Sequence, residues 1–420
     1  MFTMVENKAH SLRKRMISHI YSKSYVQSSS ELHTISQLMI FGRLLPLLDK
    51  ASKDGRALDV FEINFSAAIE FILAFIFGIQ HATNFVQDEV ARRDFYPVYK
   101  HSRPQRFWYG ELPGIVSFLA KLGIHTAPKE QKAANAEIEK WTLSKCEAAK
   151  ISMTEKPSPL EPSYTETYPI VYGQMSTSLQ ASELKSPSQD LHTASEILDH
   201  IIAGNETSGI ALTYLMYELS IHPQIQEQLH SELLTLSPSL SWEPSTQLSQ
   251  EKKPPADTAE APPLPSPRSI DALPLLDATI METLRLHAPI PGPQPRTTPS
   301  NPTSIANSPP LPPGVRISSQ AYTLHRNPEV FPLPETWDPY RWLHASGLQK
   351  AEMHRWFWAF GSGGRMCVGS HFALQEMKLV VAGVYANFRT GVVDGGKLEQ
   401  RNEYVGMPRD KRLMLRFWRV

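Results

Sequence analysis

Of the chain's 35 prolines, eight fall in 238–267 and ten in 289–313, and neither stretch can be the interior of a helix. The first, Ser237 to Pro267, is also rich in Ser, Glu and Lys and lacks apolar periodicity, which predicts a disordered surface insertion. The second is interleaved with Ile290, Val315 and Ile317, which predicts short strands and ordered turns. Elsewhere apolar residues recur at three- and four-residue spacing over 61–79, 129–150, 190–220, 222–236, 271–286 and 370–388, so helices dominate. Strand signals are short and lie mostly after residue 290. A long helical run followed by mixed strand and turn predicts a mostly α (α+β) fold in a single domain over 1–420, rather than alternating βαβ units.

Equal numbers of basic and acidic residues, 42 each, leave no global field to attract nucleic acid, so a small-molecule partner is the default. Only two cysteines occur, Cys146 and Cys367. They are too few for a disulfide framework or a Cys-rich zinc site, and any cysteine chemistry must rest on one thiol. The start, Met1 to Lys8, has no apolar core of the kind a signal peptide or membrane anchor needs. The most apolar window, Ile63 to Ile79, carries Glu70 at its middle, where lipid would make the charge expensive; it reads as a buried core helix.

The chemistry concentrates in 360–369, Phe-Gly-Ser-Gly-Gly-Arg-Met-Cys-Val-Gly, where a glycine-rich loop delivers Cys367 to the start of a helical pattern. Backbone N–H groups and the positive end of a helix dipole favour the thiolate there, and glycines let the backbone lie close to a flat macrocycle. For an arbitrary cysteine, a buried free thiol beside a flexible loop would be the better reading. A dinucleotide fingerprint fails, because Met366 stands where its third glycine should be, and no Gly-x-Ser-x-Gly elbow supports acyl transfer.

Phe360, Gly363, Arg365, Cys367 and Gly369 match the haem-binding signature of the cytochrome P450 family, which this sequence resembles. Further motifs follow in the family's order. Glu282 and Arg285, three apart on one helical face, match its Glu-x-x-Arg, and Asp338-Pro339-Tyr340-Arg341-Trp342 matches the segment whose arginine completes a structural triad. Tyr340 replaces the acidic residue common there. Ala203-Gly204-Asn205-Glu206-Thr207-Ser208 sits inside an apolar helix, where a glycine and polar cluster defy helix propensity. A packing glycine or a solvated patch is the plain reading. The resemblance implies an oxygen-binding groove in which Gly204 leaves room for dioxygen, and Glu206 and Thr207 relay protons.

The resemblance implies haem b with Cys367 as axial ligand to the iron. Its propionates would be held by Arg365, Arg296 and Lys14, the last from His10-Ser11-Leu12-Arg13-Lys14 in place of the family's Trp-x-x-x-Arg. It implies insertion of one oxygen atom from O2 into an apolar organic substrate, most like fungal secondary-metabolism members, with electrons from NADPH through a separate reductase. Ile201, Ile202 and Ala203, Pro289 to Pro291, and Val405 to Met407 take the family's substrate-contact positions. Family chains begin with an anchoring helix on the cytosolic face of the endoplasmic reticulum, followed by short helices and first strands, and this sequence is expected to lack them. The competing expectations are an inactive haem-binding remnant or a thiolate-haem isomerase or dehydratase; the Glu206–Thr207 pair favours oxygen activation.

Overall fold

The computed structural model describes residues 4, 6–102, 112–124, 128–154, 167–181, 189–243, 262–305, 308–401 and 403–420. Five helices build the site: α1 (Asn7–Ile17), α2 (Val60–Phe77), α3 (Gln189–Ile221), α4 (Pro274–Leu286) and α5 (Ser370–Tyr385). The helix expected over 271–286 is two, Pro267–Asp271 and α4, because prolines 267 and 274 are each tolerated only in a first turn. Likewise α5 stops at Tyr385, short of 388, because Phe388 opens a strand.

The strands are β1 (Leu58–Asp59), β2 (Pro293–Thr297), β3 (Arg316–Gln320), β4 (Phe388–Asp394) and β5 (Met414–Arg419). They form one antiparallel sheet in the order β1-β5-β4 and a β2–β3 pair. The proline-dense segment 289–313 thus does feed a strand, and β2 accepts Pro293 and Pro295 because a two-stranded ladder leaves each strand an open edge. The insertion behaves differently from expectation at its ends. Leu240 and Leu264 are buried in the core, Trp242 N donates to Asn387 Oδ1 (2.7 Å), and Gln37 Nε2 donates to Pro262 O (3.2 Å). Its middle, 244–261, lies outside the described residues.

At 33 residues α3 runs about 50 Å through the molecule. It is crossed closely by α2, and glycines make the crossing possible: a Cβ on Gly204 would lie 2.7 Å from Ile72 Cγ1, and one on Gly209 2.6 Å from Phe65 Cδ2. A helix apolar on every side must be buried on every side. The one described helix long and apolar enough to cross a membrane is α2, and 94% of it is buried inside the fold. Asp59 caps it by accepting from Phe61 N (3.1 Å) and ties it to the sheet by accepting from Leu413 N (3.0 Å).

Glu70, fully buried on α2, accepts from Arg43 Nη1 (2.7 Å) and Val86 N (2.6 Å). Burial outweighs the Arg43 charge and raises its carboxyl from 4.5 to about 7. The folded chain therefore holds a proton that the unfolded chain has released, and stability should fall as pH rises from 4.5 through 7, by at most about 1.4 kcal/mol per pH unit for this one group. Urea midpoints at pH 5 and pH 8 check this: Glu70→Gln should flatten the fall, and an unchanged slope would contradict the assignment.

Candidate active site around Cys367

The loop before α5 is closed by its own backbone. Cys367 N donates to Phe360 O (2.8 Å), Gly361 N to Trp358 O (2.9 Å) and Met366 N to Gly363 O (3.0 Å). Gly361 and Gly363 take φ of 68° and 66°, the left-handed region that side chains resist, so glycine is needed at both. The fold turns Cys367 outward, where it is solvent-accessible beside the first turn of α5. Dense surrounding protein raises its thiol pKa, while the Gly369 N–H and the Lys14 ammonium oppose that rise. An arriving cation would complete what these groups begin.

Four basic residues converge beside the loop. His10, Lys14 and Arg365 each have a lowered pKa, first from burial; His10 also feels Arg365, Lys14 and Arg296, and Arg365 feels Arg296. Such mutual repulsion is relieved by an anion. Lys14 Nζ donates to Gly364 O (3.1 Å) and Met366 O (2.7 Å), so it braces the cysteine loop as well as charging it. Arg365 Nη1 donates to Met4 O (2.6 Å) and Nη2 to Asn7 Oδ1 (3.2 Å), tying the loop to the start of α1. His10, which entered the sequence argument only as the end of a motif, joins this group.

On α3, Thr207 Oγ1 donates to Ala203 O (2.7 Å), a back-bond to the preceding turn. Ala203 is exposed and Thr207 half-buried, whereas Glu206 is buried within electrostatic reach of Lys411. The missing side chain of Gly204 leaves room for Ile72 of α2, and its neighbour Ala203 is exposed. Ile201 turns into the core, while Ile202, Val405 and Met407 each pack against the apolar cluster that holds Phe61, Phe65 and Tyr214. Gly406 N donates to Pro289 O (2.9 Å), joining the two later segments expected at the substrate.

Glu282, Arg285 and Arg341 meet in one buried network. Arg285 Nε and Nη2 bond Glu282 Oε2 (2.9 Å) and Oε1 (2.8 Å), and Arg341 Nε bonds Oε1 (3.0 Å). Trp342 Nε1 and Asp338 N also donate to this carboxylate. Tyr340, the departure from the family pattern, directs its hydroxyl to Gln228 and leaves Arg341 free to reach Glu282. His325 links the network to the cysteine loop: Nδ1 bonds Arg285 O (2.8 Å) and Nε2 accepts from Trp358 N (2.7 Å). Burial lowers its imidazole to about 3, keeping the ring neutral so that one nitrogen can accept.

Sequence reasoning missed Glu376. It lies fully buried on α5, its Oε2 3.0 Å from Ser208 Oγ on α3, and burial raises its carboxyl well above the usual range. A carboxyl on the apolar face of the 370–388 pattern was the available signal.

The residues present fit haem. Beside the accessible thiol, Gly363 and Gly364 border open space, and the Lys14, Arg296 and Arg365 charges answer an anionic edge. Among the described residues no group of three His, Cys, Asp or Glu could hold a metal ion, so a metal on Cys367 must bring its other donors with it, as haem iron does.

Comparison with known proteins agrees with this geometry. The family Cytochrome P450 matches residues 1–416. A cytochrome P450 monooxygenase of Aspergillus versicolor is 30% identical over 392 residues, 90% of this chain and 82% of that protein. Others, from Aspergillus parasiticus and Gibberella zeae, are each 26% identical, over 92% and 81% of this chain and 69% and 61% of their own lengths. A glycine-bounded loop carrying an accessible cysteine, a buried Glu-Arg-Arg network behind it, and a family match along almost the entire length lead to one assignment: the chain belongs to the cytochrome P450 family.

Proposed function

We propose that this single-domain chain is a haem-thiolate monooxygenase that inserts one oxygen atom from O2 into an apolar organic substrate. The observation that carries the reading is Thr207 Oγ1 bonded back to Ala203 O at 2.7 Å, one residue from the buried Glu206. Isomerisation at a thiolate-bound haem needs no proton delivered to dioxygen, so an acid–alcohol pair on this helix favours oxygen activation.

Haem b would supply the oxygen chemistry when bound, with Cys367 holding its iron. Arg365, Arg296 and Lys14 would hold its propionates, Lys14 while bracing the loop, and Phe360, Gly363 and Gly369 would shape the surface beneath it. The Glu282–Arg285–Arg341 network keeps that surface rigid. Glu206 takes a proton from the Lys411 side, and Thr207 Oγ1 presents it to the cavity that Ala203 borders; Gly204 sets the depth of the groove by letting α2 approach. Ile202, Val405 and Met407, which pack against one apolar cluster, supply an apolar contact for substrate. Electrons come from NADPH through a separate reductase, at the cytosolic face of the endoplasmic reticulum. Kinship with monooxygenases of Aspergillus species supports a step in fungal secondary metabolism.

Thr207→Ala and Glu206→Gln test the proton relay. Both should bind haem and still draw electrons from the reductase, yet divert them from product to hydrogen peroxide, by about 10²-fold in the coupled step if the relay acts as general acid catalysis. Peroxide yield per NADPH consumed is the measurement, and unchanged coupling in both variants would return Thr207 and Glu206 to helix packing.

A further inference from the structure

Tyr21 and His200 form a buried pair that the oxygen chemistry does not use. Tyr21, just after α1, is 2% exposed, and its Oη lies 2.9 Å from His200 Nδ1 on α3. The two rings are nearly parallel, 11° apart with centroids 5.5 Å apart. Phe75 and Phe372 close edge-to-face on the phenol at 5.3 and 6.3 Å. The phenol also packs beside the cysteine loop: a Cβ on Gly369 would sit 3.9 Å from its Cδ1 and Cε1, and it lies within electrostatic reach of Cys367.

His200 is buried and its Nε2 has no partner. Burial lowers its imidazole to about 4, so the ring is neutral at physiological pH. With the phenol O–H as donor, Nδ1 is the acceptor and Nε2 carries the ring hydrogen. As packing alone this is a poor design, because an unpartnered buried N–H costs about 1–3 kcal/mol that Phe at 21 and Leu at 200 would avoid. As redox chemistry it is apt. A phenol gives up an electron readily only when its proton leaves at the same time, and here a neutral base waits at hydrogen-bond distance in a water-poor setting.

We propose that Tyr21, with His200 as its proton acceptor, is a one-electron donor to the haem held by Cys367 and discharges oxidising equivalents when no substrate consumes them. The proposal rests on the haem-thiolate reading above. Hydrogen peroxide is the two-electron oxidant: its O–O bond would break, it would draw two electrons from the haem site and, with two protons, leave as two waters, so that Tyr21 discharges one of the two oxidising equivalents. Tyr21 returns one of these electrons: its O–H bond breaks, the electron goes to the haem, and the proton goes to His200 Nδ1. A neutral phenoxyl radical remains beside an imidazolium, and Asp199 is the nearby charge that favours that cation.

The test uses the haem-loaded chain, its thiolate ligation verified by the red-shifted reduced carbon monoxide complex, mixed with hydrogen peroxide and rapidly frozen for electron paramagnetic resonance. The expected result is a tyrosyl radical that narrows when ring-deuterated tyrosine is incorporated, vanishes in Tyr21→Phe and falls several-fold in His200→Leu. Peroxide should also bleach the haem faster in Tyr21→Phe. If Tyr21→Phe does not load haem, His200→Leu decides the matter by the same loss. A radical of undiminished intensity in either loaded variant, or none in the parent chain, overturns the proposal. A chain without the thiolate signature overturns the haem reading instead, and this inference with it.

Discussion

Arg285→Leu should cost about 3–5 kcal/mol, the usual penalty for leaving one member of a buried ion pair behind, against a total stability of about 5–15 kcal/mol for a typical domain. Arg285 and Glu282 are both wholly buried. The guanidinium also donates to His325 O (3.0 Å), Pro334 O (2.7 Å) and Thr336 O (3.1 Å), so the variant strands three carbonyls together with part of the carboxylate's hydrogen bonding. His325 stands between this network and Trp358 beside the cysteine loop, which predicts loss of haem uptake along with stability. Arg285→Lys should recover little, since a single ammonium cannot reproduce a fork that bonds Glu282 through two nitrogens. The triple variant Glu282→Met/Arg285→Leu/Arg341→Leu, which leaves no charged member of the network behind, should be less damaging than Arg285→Leu alone. Denaturant midpoints and haem content check the series; an Arg285→Leu chain with an unchanged midpoint would contradict the role given to the network.

Those residues were legible in the sequence because each motif is local. Glu282 and Arg285 are one helical turn apart, and five positions of the haem signature fall within ten residues around Cys367. Helix periodicity is local too, and it predicted the buried α2 and the long α3. What was not legible depends on partners far along the chain. The contact of Gly204 with Ile72 is made only by the crossing of α2 and α3. Three successive helical residues point about 100° apart, so Ile201, Ile202 and Ala203 could not all face one cavity, and the fold buries the first and exposes the last. Lys14 was read as a propionate ligand from its place in a motif like the family's Trp-x-x-x-Arg; its carbonyl partners in the cysteine loop lie some 350 residues away. Glu376 and His200 looked unremarkable in their helical patterns, and only burial marks them. The ends of the proline-rich insertion were misjudged because its polar middle dominated the composition of a stretch whose flanks, at Leu240 and Leu264, are core.

Cys367 carries the account. It is the accessible one of the two cysteines, while Cys146 is buried with its thiol pKa raised to about 12. No other described cysteine is accessible, so on the proposed reading a thiolate ligand can come only from Cys367. Cys367→Ser or Cys367→His should leave the Glu282–Arg285–Arg341 network intact and the variants folded, because Cys367 is accessible and is not among the buried core residues. Both should lose the electronic effect that only a thiolate confers on the iron. The direct measurement is the absorption spectrum of the reduced, carbon monoxide-bound, haem-loaded chain: the account predicts the red-shifted thiolate band in the parent and its complete loss in Cys367→Ser and Cys367→His, whereas a band that persists in either variant would show that Cys367 is not the ligand.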